Sequence, residues 1–158
     1  MKIRVGIGYD VHQLAEGIDF WLGGIKIDHH KGSVGYSDAD VLIHAICDAL
    51  LGAANLHDIG YHFPDTSSDF KGIDSKILLK RVVVLLKEKG YSISNIDSII
   101  ILQKPKVKLY IDTMRETLAK VMEIDIDDIS IKATTTEKLG FTGREEGIAA
   151  QAVVLIQK

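Results

Sequence analysis

Ile3-Arg-Val-Gly-Ile-Gly-Tyr-Asp-Val-His12 alternates like a strand, with Ile3, Val5, Ile7 and Tyr9 on one face and Gly6, Gly8, Asp10 and His12 on the other. The spacing predicts a strand over Arg4–Asp10, packed through its apolar face and cleared on its glycine face for something to approach. Because side chains in a strand repeat every two residues, Asp10 and His12 stand side by side. A carboxylate beside an imidazole suits zinc or another borderline divalent ion, and such a site requires a third protein ligand. His44 is the candidate.

His44 lies in Ser37-Asp-Ala-Asp-Val-Leu-Ile-His-Ala-Ile-Cys-Asp-Ala-Leu-Leu51, which predicts a buried helix with Ser37 as N-cap and Asp40 at the third helical position. Asp40, His44 and Asp48 at i, i+4 and i+8 form one polar stripe on an apolar rod. Such a stripe has two readings. Either the imidazole binds a metal while its second nitrogen meets a carboxylate, or it is a core histidine satisfied by its own aspartate neighbours.

A chain of 158 residues with a net charge of -3 is most simply one domain, 1–158, large enough to bury roughly 68 to 70% of its unfolded surface. Cys47 is the only cysteine, so no internal disulfide forms, and its apolar helical neighbours mark it as a small core residue. A chain that opens directly on a strand leaves no room for a signal peptide, and no apolar run reaches membrane-spanning length, so a cytoplasmic protein is expected. Mixed charges give no general attraction for nucleic acid or an anionic membrane.

The remaining elements follow at short spacing. Phe20 to Ile27 predicts a hairpin around Gly23-Gly24, and Ser75 to Lys89 a helix with Leu78, Leu79, Val82, Leu85 and Leu86 on one stripe and Gly90 as its stop. Ile96–Leu102, Ile129–Thr134 and Ile148–Ile156 predict strands, and Lys108–Met122 a helix. The expected fold is α+β, a sandwich of one mixed sheet with helices on one face. The uncovered face would be buried by oligomerisation.

Polar residues concentrate in the loops His57-Asp58-Ile59-Gly60, Phe63-Pro64-Asp65-Thr66, Gln103-Lys104-Pro105-Lys106 and Lys132 to Arg144. Thr134, Thr135 and Thr136 followed by Glu137 offer hydroxyls and a carboxylate, chemistry suited to phosphate oxygens and a hard cation such as magnesium. The same threonines also suit an ordinary strand end. Gly140 and Gly143 flank Phe141 in a shaped turn that places Arg144 for an anion or an ion pair.

In order, Gly8-Tyr-Asp-Val-His12, Ser37 to His44, Asp48-Ala-Leu-Leu-Gly-Ala53, Asp58-Ile-Gly60, Phe63-Pro-Asp-Thr66, Gln103-Lys-Pro-Lys106 and Lys132 to Gly147 resemble the 2-C-methyl-D-erythritol 2,4-cyclodiphosphate synthase family of the non-mevalonate isoprenoid pathway. The resemblance implies a homotrimer with active sites between neighbouring subunits. It implies an internal phosphoryl transfer, in which the 2-phosphate of 4-diphosphocytidyl-2-C-methyl-D-erythritol 2-phosphate attacks the β-phosphorus, giving the 2,4-cyclodiphosphate and CMP. One zinc per subunit would be held by Asp10, His12 and His44, and magnesium or manganese by Glu137 with bound substrate. Positioning and charge neutralisation dominate such chemistry.

By the same resemblance Asp58, Ile59, Gly60, Phe63, Pro64, Asp65, Thr66 and Ser67 line the methylerythritol phosphate, with Asp10, Val11, His12, Tyr36 and Ser37 also touching substrate. Leu102, Gln103, Lys104, Pro105, Lys106, Val107 and Lys108, with Thr134, Thr135 and Thr136, take the cytidine diphosphate. Thr135 resembles the phosphate-stabilising hydroxyl, and Phe141, Arg144 and Glu146 match positions near a central channel where some relatives hold an isoprenoid diphosphate. Two residues depart from the family pattern. Tyr36 stands where the family usually has a histidine that stabilises the transferring phosphate, offering one O–H donor and no positive charge. Ser67 replaces a common aspartate.

Two rival readings remain. His44 with His57-Asp58 is similar to the signature of a mostly helical metal phosphohydrolase superfamily, which has no place for Asp-x-His on an N-terminal strand. A non-catalytic trimer binding isoprenoid diphosphate through Phe141 and Arg144 would have no use for the metal ligands.

Overall fold

Alternation carries the first strand further than predicted: in the computed structural model, which describes residues 1–158, β1 spans Ile3–Glu16. The predicted hairpin forms as β2 (Phe20–Leu22) and β3 (Ile25–Ile27), turning at Gly23 and Gly24 with φ of 62° and 80°, where a side chain would be strained. A short strand not predicted, β4 (Lys31–Ser33), pairs with the end of β1. Then come α1 (Val41–Ala53), a single turn α2 (Ile59–His62) and α3 (Ser75–Glu88), which stops before Gly90 as the sequence indicated. β5 (Ser92–Ile101), α4 (Ile111–Met122), β6 (Ile129–Thr134), the turn α5 (Gly140–Gly143) and β7 (Gly147–Gln157) complete the chain.

The main sheet has the order β4-β1-β7-β5-β6 and is mixed: all pairs are antiparallel except β5-β6, which α4 connects by a crossover. Helices cover one face. Leu42, Ile43, Ile46 and Leu50 of α1 meet Ile96 and Ile100 of β5 and Val154 and Ile156 of β7, while Leu79, Val82 and Leu86 of α3 and Met114 and Leu118 of α4 extend the same core. Each such side chain contributes about 1.5–3 kcal/mol on burial. Cys47 is in this core, and burial pushes its thiol well above the ordinary range.

The two faces of β1 are used opposite to expectation. Gly6 and Gly8 lie against α1: a Cβ on Gly8 would stand 1.8 Å from the Ala45 carbonyl oxygen, and one on Gly6 1.9 Å from that of Ala49. The glycines are there for a helix, not a ligand. The apolar face is the open one, with Ile3, Val5, Ile7 and Tyr9 all more than half exposed.

The start of α1 also differs. Asp40 is the N-cap, accepting from Ile43 N–H at 3.1 Å, and its carboxylate takes Gly23 N–H and Gly24 N–H at 3.0 and 2.7 Å. A fully buried carboxylate thus ties the hairpin to the helix. It is a structural joint, and Ser37 lies outside the helix.

Candidate metal centre and adjoining clefts

Strand period and helix contact together bring Asp10, His12 and His44 to one point. Asp10 Oδ2 lies 2.9 Å from His12 Nε2 and 3.2 Å from His44 Nδ1, and the two ring nitrogens are 3.2 Å apart. These three form a cluster of potential ligand atoms. A tetrahedral ion with bonds of about 2.0–2.1 Å separates its ligand atoms by about 3.3 Å, so the triangle needs only slight expansion to hold one and leaves a fourth position open.

Partners on the far side of each imidazole orient it. His12 Nδ1–H donates to the Val34 carbonyl at 2.9 Å, so Nε2, which donates to Asp10 in the metal-free protein, is the nitrogen whose lone pair a metal would take once that proton leaves. His44 Nε2 meets the Ser75 hydroxyl at 2.8 Å and the Ser37 hydroxyl at 3.2 Å, and Ser75 donates in turn to Asp38. His44 Nδ1 is therefore the inward nitrogen. The carboxylate expected behind it is present, but it is Asp38 acting through Ser75, and neither Asp40 nor Asp48 supplies it. Burial pushes the Asp10 carboxyl up, yet hydrogen bonds from His12 and His44 outweigh this and hold it at about 2. Burial pushes His12 down, while its bond to Asp10 and that residue's charge raise it overall.

His12 and His44 open on a cleft of about 370 Å³, whose walls carry Tyr36, Ser37, Ile59, Gly60, Phe63, Pro64 and Asp65. Phe70, Ile73 and Leu78 complete it. Two of the four loops that sequence reasoning singled out, those of Ile59-Gly60 and Phe63-Pro64-Asp65, thus converge beside these ligand atoms, and the other two do not. Asp58 does not line this cleft: it caps α2, accepting Tyr61 N–H at 2.9 Å. Asp48 accepts Ile59 N–H at 2.7 Å and so seats the same turn from beneath. Thr66 is exposed, Val11 lies on the open face of β1, and Ser67 caps a short turn at Ser68–Phe70. His57 stacks on Tyr61 at 4.2 Å, so the His57-Asp58 pair is engaged locally. Ser75, Asp38, Val34 and Phe70 were missed by sequence reasoning, since nothing local marks a serine at a helix start as the partner of a histidine on another helix.

A second cleft, about 220 Å³, is lined by Leu102, Pro105, Lys106, Val107, Lys108, Ala133, Thr134 and Thr135. Lys104 projects into solvent, and Gln103 Oε1 accepts Lys138 N–H at 3.1 Å. The threonines differ. Thr134 donates to the Thr135 carbonyl at 3.1 Å and Thr136 to that of Leu139 at 2.6 Å, whereas Thr135 Oγ1 accepts from Glu137 N–H at 3.2 Å. Only Thr135 keeps its hydroxyl proton free. Glu137 is exposed, Phe141 packs over Gly147, and Arg144 grips Glu146 at 2.8 and 3.4 Å.

Register relates the two clefts. Val11 pairs with Ala149, Ala149 with Ile101, and Ile101 with Thr134, so Asp10, His12 and the threonine loop share one end of the sheet. β1 and β6 are three strand steps apart, about 14 Å along the sheet at about 4.8 Å per step.

Residues 3–157 match the YgbB family. The 2-C-methyl-D-erythritol 2,4-cyclodiphosphate synthase of Bacteroides thetaiotaomicron is 66% identical over 158 residues, covering 100% of this chain and 99% of that protein. The bifunctional IspDF from Campylobacter jejuni superposes with a TM-score of 0.95 at 42% identity, over 98% of this chain and 42% of that one. A CDP-bound structure of 2C-methyl-D-erythritol-2,4-cyclodiphosphate synthase superposes with a TM-score of 0.90 at 32% identity, over 98% of this chain and 100% of that one. Motif order and full-length similarity in sequence and structure agree: the chain belongs to the YgbB family, that of the 2-C-methyl-D-erythritol 2,4-cyclodiphosphate synthases.

Proposed function

We propose that this chain converts 4-diphosphocytidyl-2-C-methyl-D-erythritol 2-phosphate into 2-C-methyl-D-erythritol 2,4-cyclodiphosphate and CMP by metal-dependent internal phosphoryl transfer. The observation that carries it is the Asp10, His12 and His44 cluster opening on a cleft sized for a small phosphorylated polyol. Asp10 supplies the anionic ligand and the two imidazoles supply lone pairs fixed by Val34 and Ser75. This donor set suits zinc, which when bound supplies positive charge for phosphate oxygens. Ile59, Phe63, Ile73 and Leu78 exclude water along the polyol. The free hydroxyl proton of Thr135 is available to a phosphate of the cytidine diphosphate, and Glu137, beside it, is the residue to hold magnesium or manganese.

The active unit in this reading is a homotrimer with shared sites. Two cations flanking one transferred phosphoryl group sit about 3.5–4 Å apart, far closer than the roughly 14 Å between β1 and β6 of one chain. A neighbouring copy supplying Thr135 and Glu137 removes that gap, and the exposed Ile3, Val5, Ile7 and Tyr9 offer the apolar surface for it to cover. At the central channel, Arg144 would take an isoprenoid diphosphate only by exchanging its present partner Glu146.

Phosphorus NMR tests the reading. Zinc- and magnesium-loaded protein should convert the cytidylylated substrate to a cyclic diphosphate and CMP; a linear product, or intact substrate, would overturn it.

A further inference from the structure

The two departures from the family pattern meet in space: the Tyr36 hydroxyl donates to the main-chain carbonyl of Ser67 at 2.7 Å. The Tyr36 carbonyl in turn accepts Gly72 N–H at 2.7 Å. Tyr36 therefore holds the Ser67–Gly72 stretch at two points, within the outer wall of the metal-side cleft, where Pro64, Asp65, Phe70 and Ile73 line the space beside His12 and His44. Ser67 O also accepts Phe70 N–H at 3.3 Å, so one carbonyl joins the wall's internal turn to the phenol. A phenol has a single proton. With that proton given to Ser67, a phosphate oxygen approaching Tyr36 would meet lone pairs.

We propose that Tyr36 is a positioning residue that sets the width of the cleft by tying its Pro64–Ile73 wall to the loop carrying Ser37, and does not itself donate to the transferred phosphate. The proposal rests on the cyclodiphosphate reading for its substrate and on the Tyr36–Ser67 bond for its geometry. Because Ser67 contributes through its backbone, the tie does not depend on which side chain stands at that position. What it requires is a hydroxyl at the end of a long, rigid ring. The polyol phosphate is the part of the substrate that such a wall would hold, so loosening it weakens binding more than it slows the chemical step.

Tyr36→Phe removes only the hydroxyl. Hydrogen exchange of the metal-loaded protein without substrate should show the amides of Ser67, Phe70, Lys71 and Gly72 exchanging about fivefold faster, the loss of one ordinary hydrogen bond. Steady-state kinetics should show KM raised roughly three- to tenfold with kcat lowered no more than about twofold, the pattern of lost uniform binding. Unchanged exchange in Tyr36→Phe would overturn the tie, and a tenfold fall in kcat at constant KM would show the hydroxyl acting on the phosphate. Exchange is read without turnover, so wild-type protein that forms no cyclic product would overturn the activity reading alone and leave the exchange result to decide the tie.

Discussion

Ser75 stands behind His44, its hydroxyl 2.8 Å from Nε2, and hands its own proton to Asp38. The chain from imidazole to serine to carboxylate fixes the ring so that Nδ1 faces Asp10. Ser75→Ala leaves His44 Nε2 with the longer contact to Ser37 alone, at 3.2 Å. Zinc affinity should fall about 10- to 100-fold, as is usual when a partner behind a metal-bound histidine is lost. Competition against a chromophoric chelator measures it, and wild-type affinity in the variant would remove Ser75 from the metal site.

Gly8→Ala and Gly52→Ala should have opposite signs. A Cβ on Gly8 would lie 1.8 Å from the Ala45 carbonyl oxygen, so strand and helix must part, at about 3 kcal/mol or more. Gly52, exposed near the end of α1, has open space around a built Cβ. Alanine there should stabilise by about 0.5–1 kcal/mol through helix propensity. Urea denaturation reads both, and equal stability of Gly8→Ala and wild type would contradict the close contact.

In metal-free protein, the Asp10 carboxyl is held at about 2 against an ordinary 3.8. A depressed folded pKa adds stability above the unfolded value, and the gain is lost as pH falls through the folded one. At about 1.4 kcal/mol per unit, roughly 2 kcal/mol should disappear between pH 4 and pH 2. His12 is raised, so its contribution is complete below its unfolded value and lost as pH rises through the folded one. The difference between wild type and Asp10→Asn isolates the carboxylate: it should shrink across the acid window, and a constant difference would refute the pairing.

Complementation tests the proposed trimer with its shared site. In that reading the Asp10→Ala and Glu137→Ala proteins should each be nearly inactive. Unfolding and reassembling an equal mixture pairs an intact zinc half with an intact threonine and glutamate half at about one interface in four. Activity should rise accordingly. Mass-verified mixed trimers as inactive as their parents would place both halves in one subunit.

The alternation of β1 and the apolar stripe of α3 were legible in sequence because one face of each is repeated over many residues. Which face of β1 enters the core was not. Gly6 and Gly8 carry no side chain to mark them as buried, and the apolar face meets solvent in a single chain. Asp10, His12 and His44 were legible because ligand chemistry and spacing coincide. Asp40 misled: four residues before His44 it looked like that histidine's partner, whereas it holds Gly23 and Gly24. Long-range pairs such as Ser75 with His44 and Tyr36 with Ser67 are set by loop conformation, for which spacing carries no signal.

Backbone touching backbone at Gly6 and Gly8 also governs how the centre responds to heat. Interdigitated side chains loosen by hopping between rotamers, but at Gly6 and Gly8 no rotamer lies between β1 and α1. The separation of Asp10 from His44 inherits the stiffness of two main chains in contact. On warming, the cleft walls at Phe63, Phe70 and Ile73 should therefore soften well before the seat of the ion does.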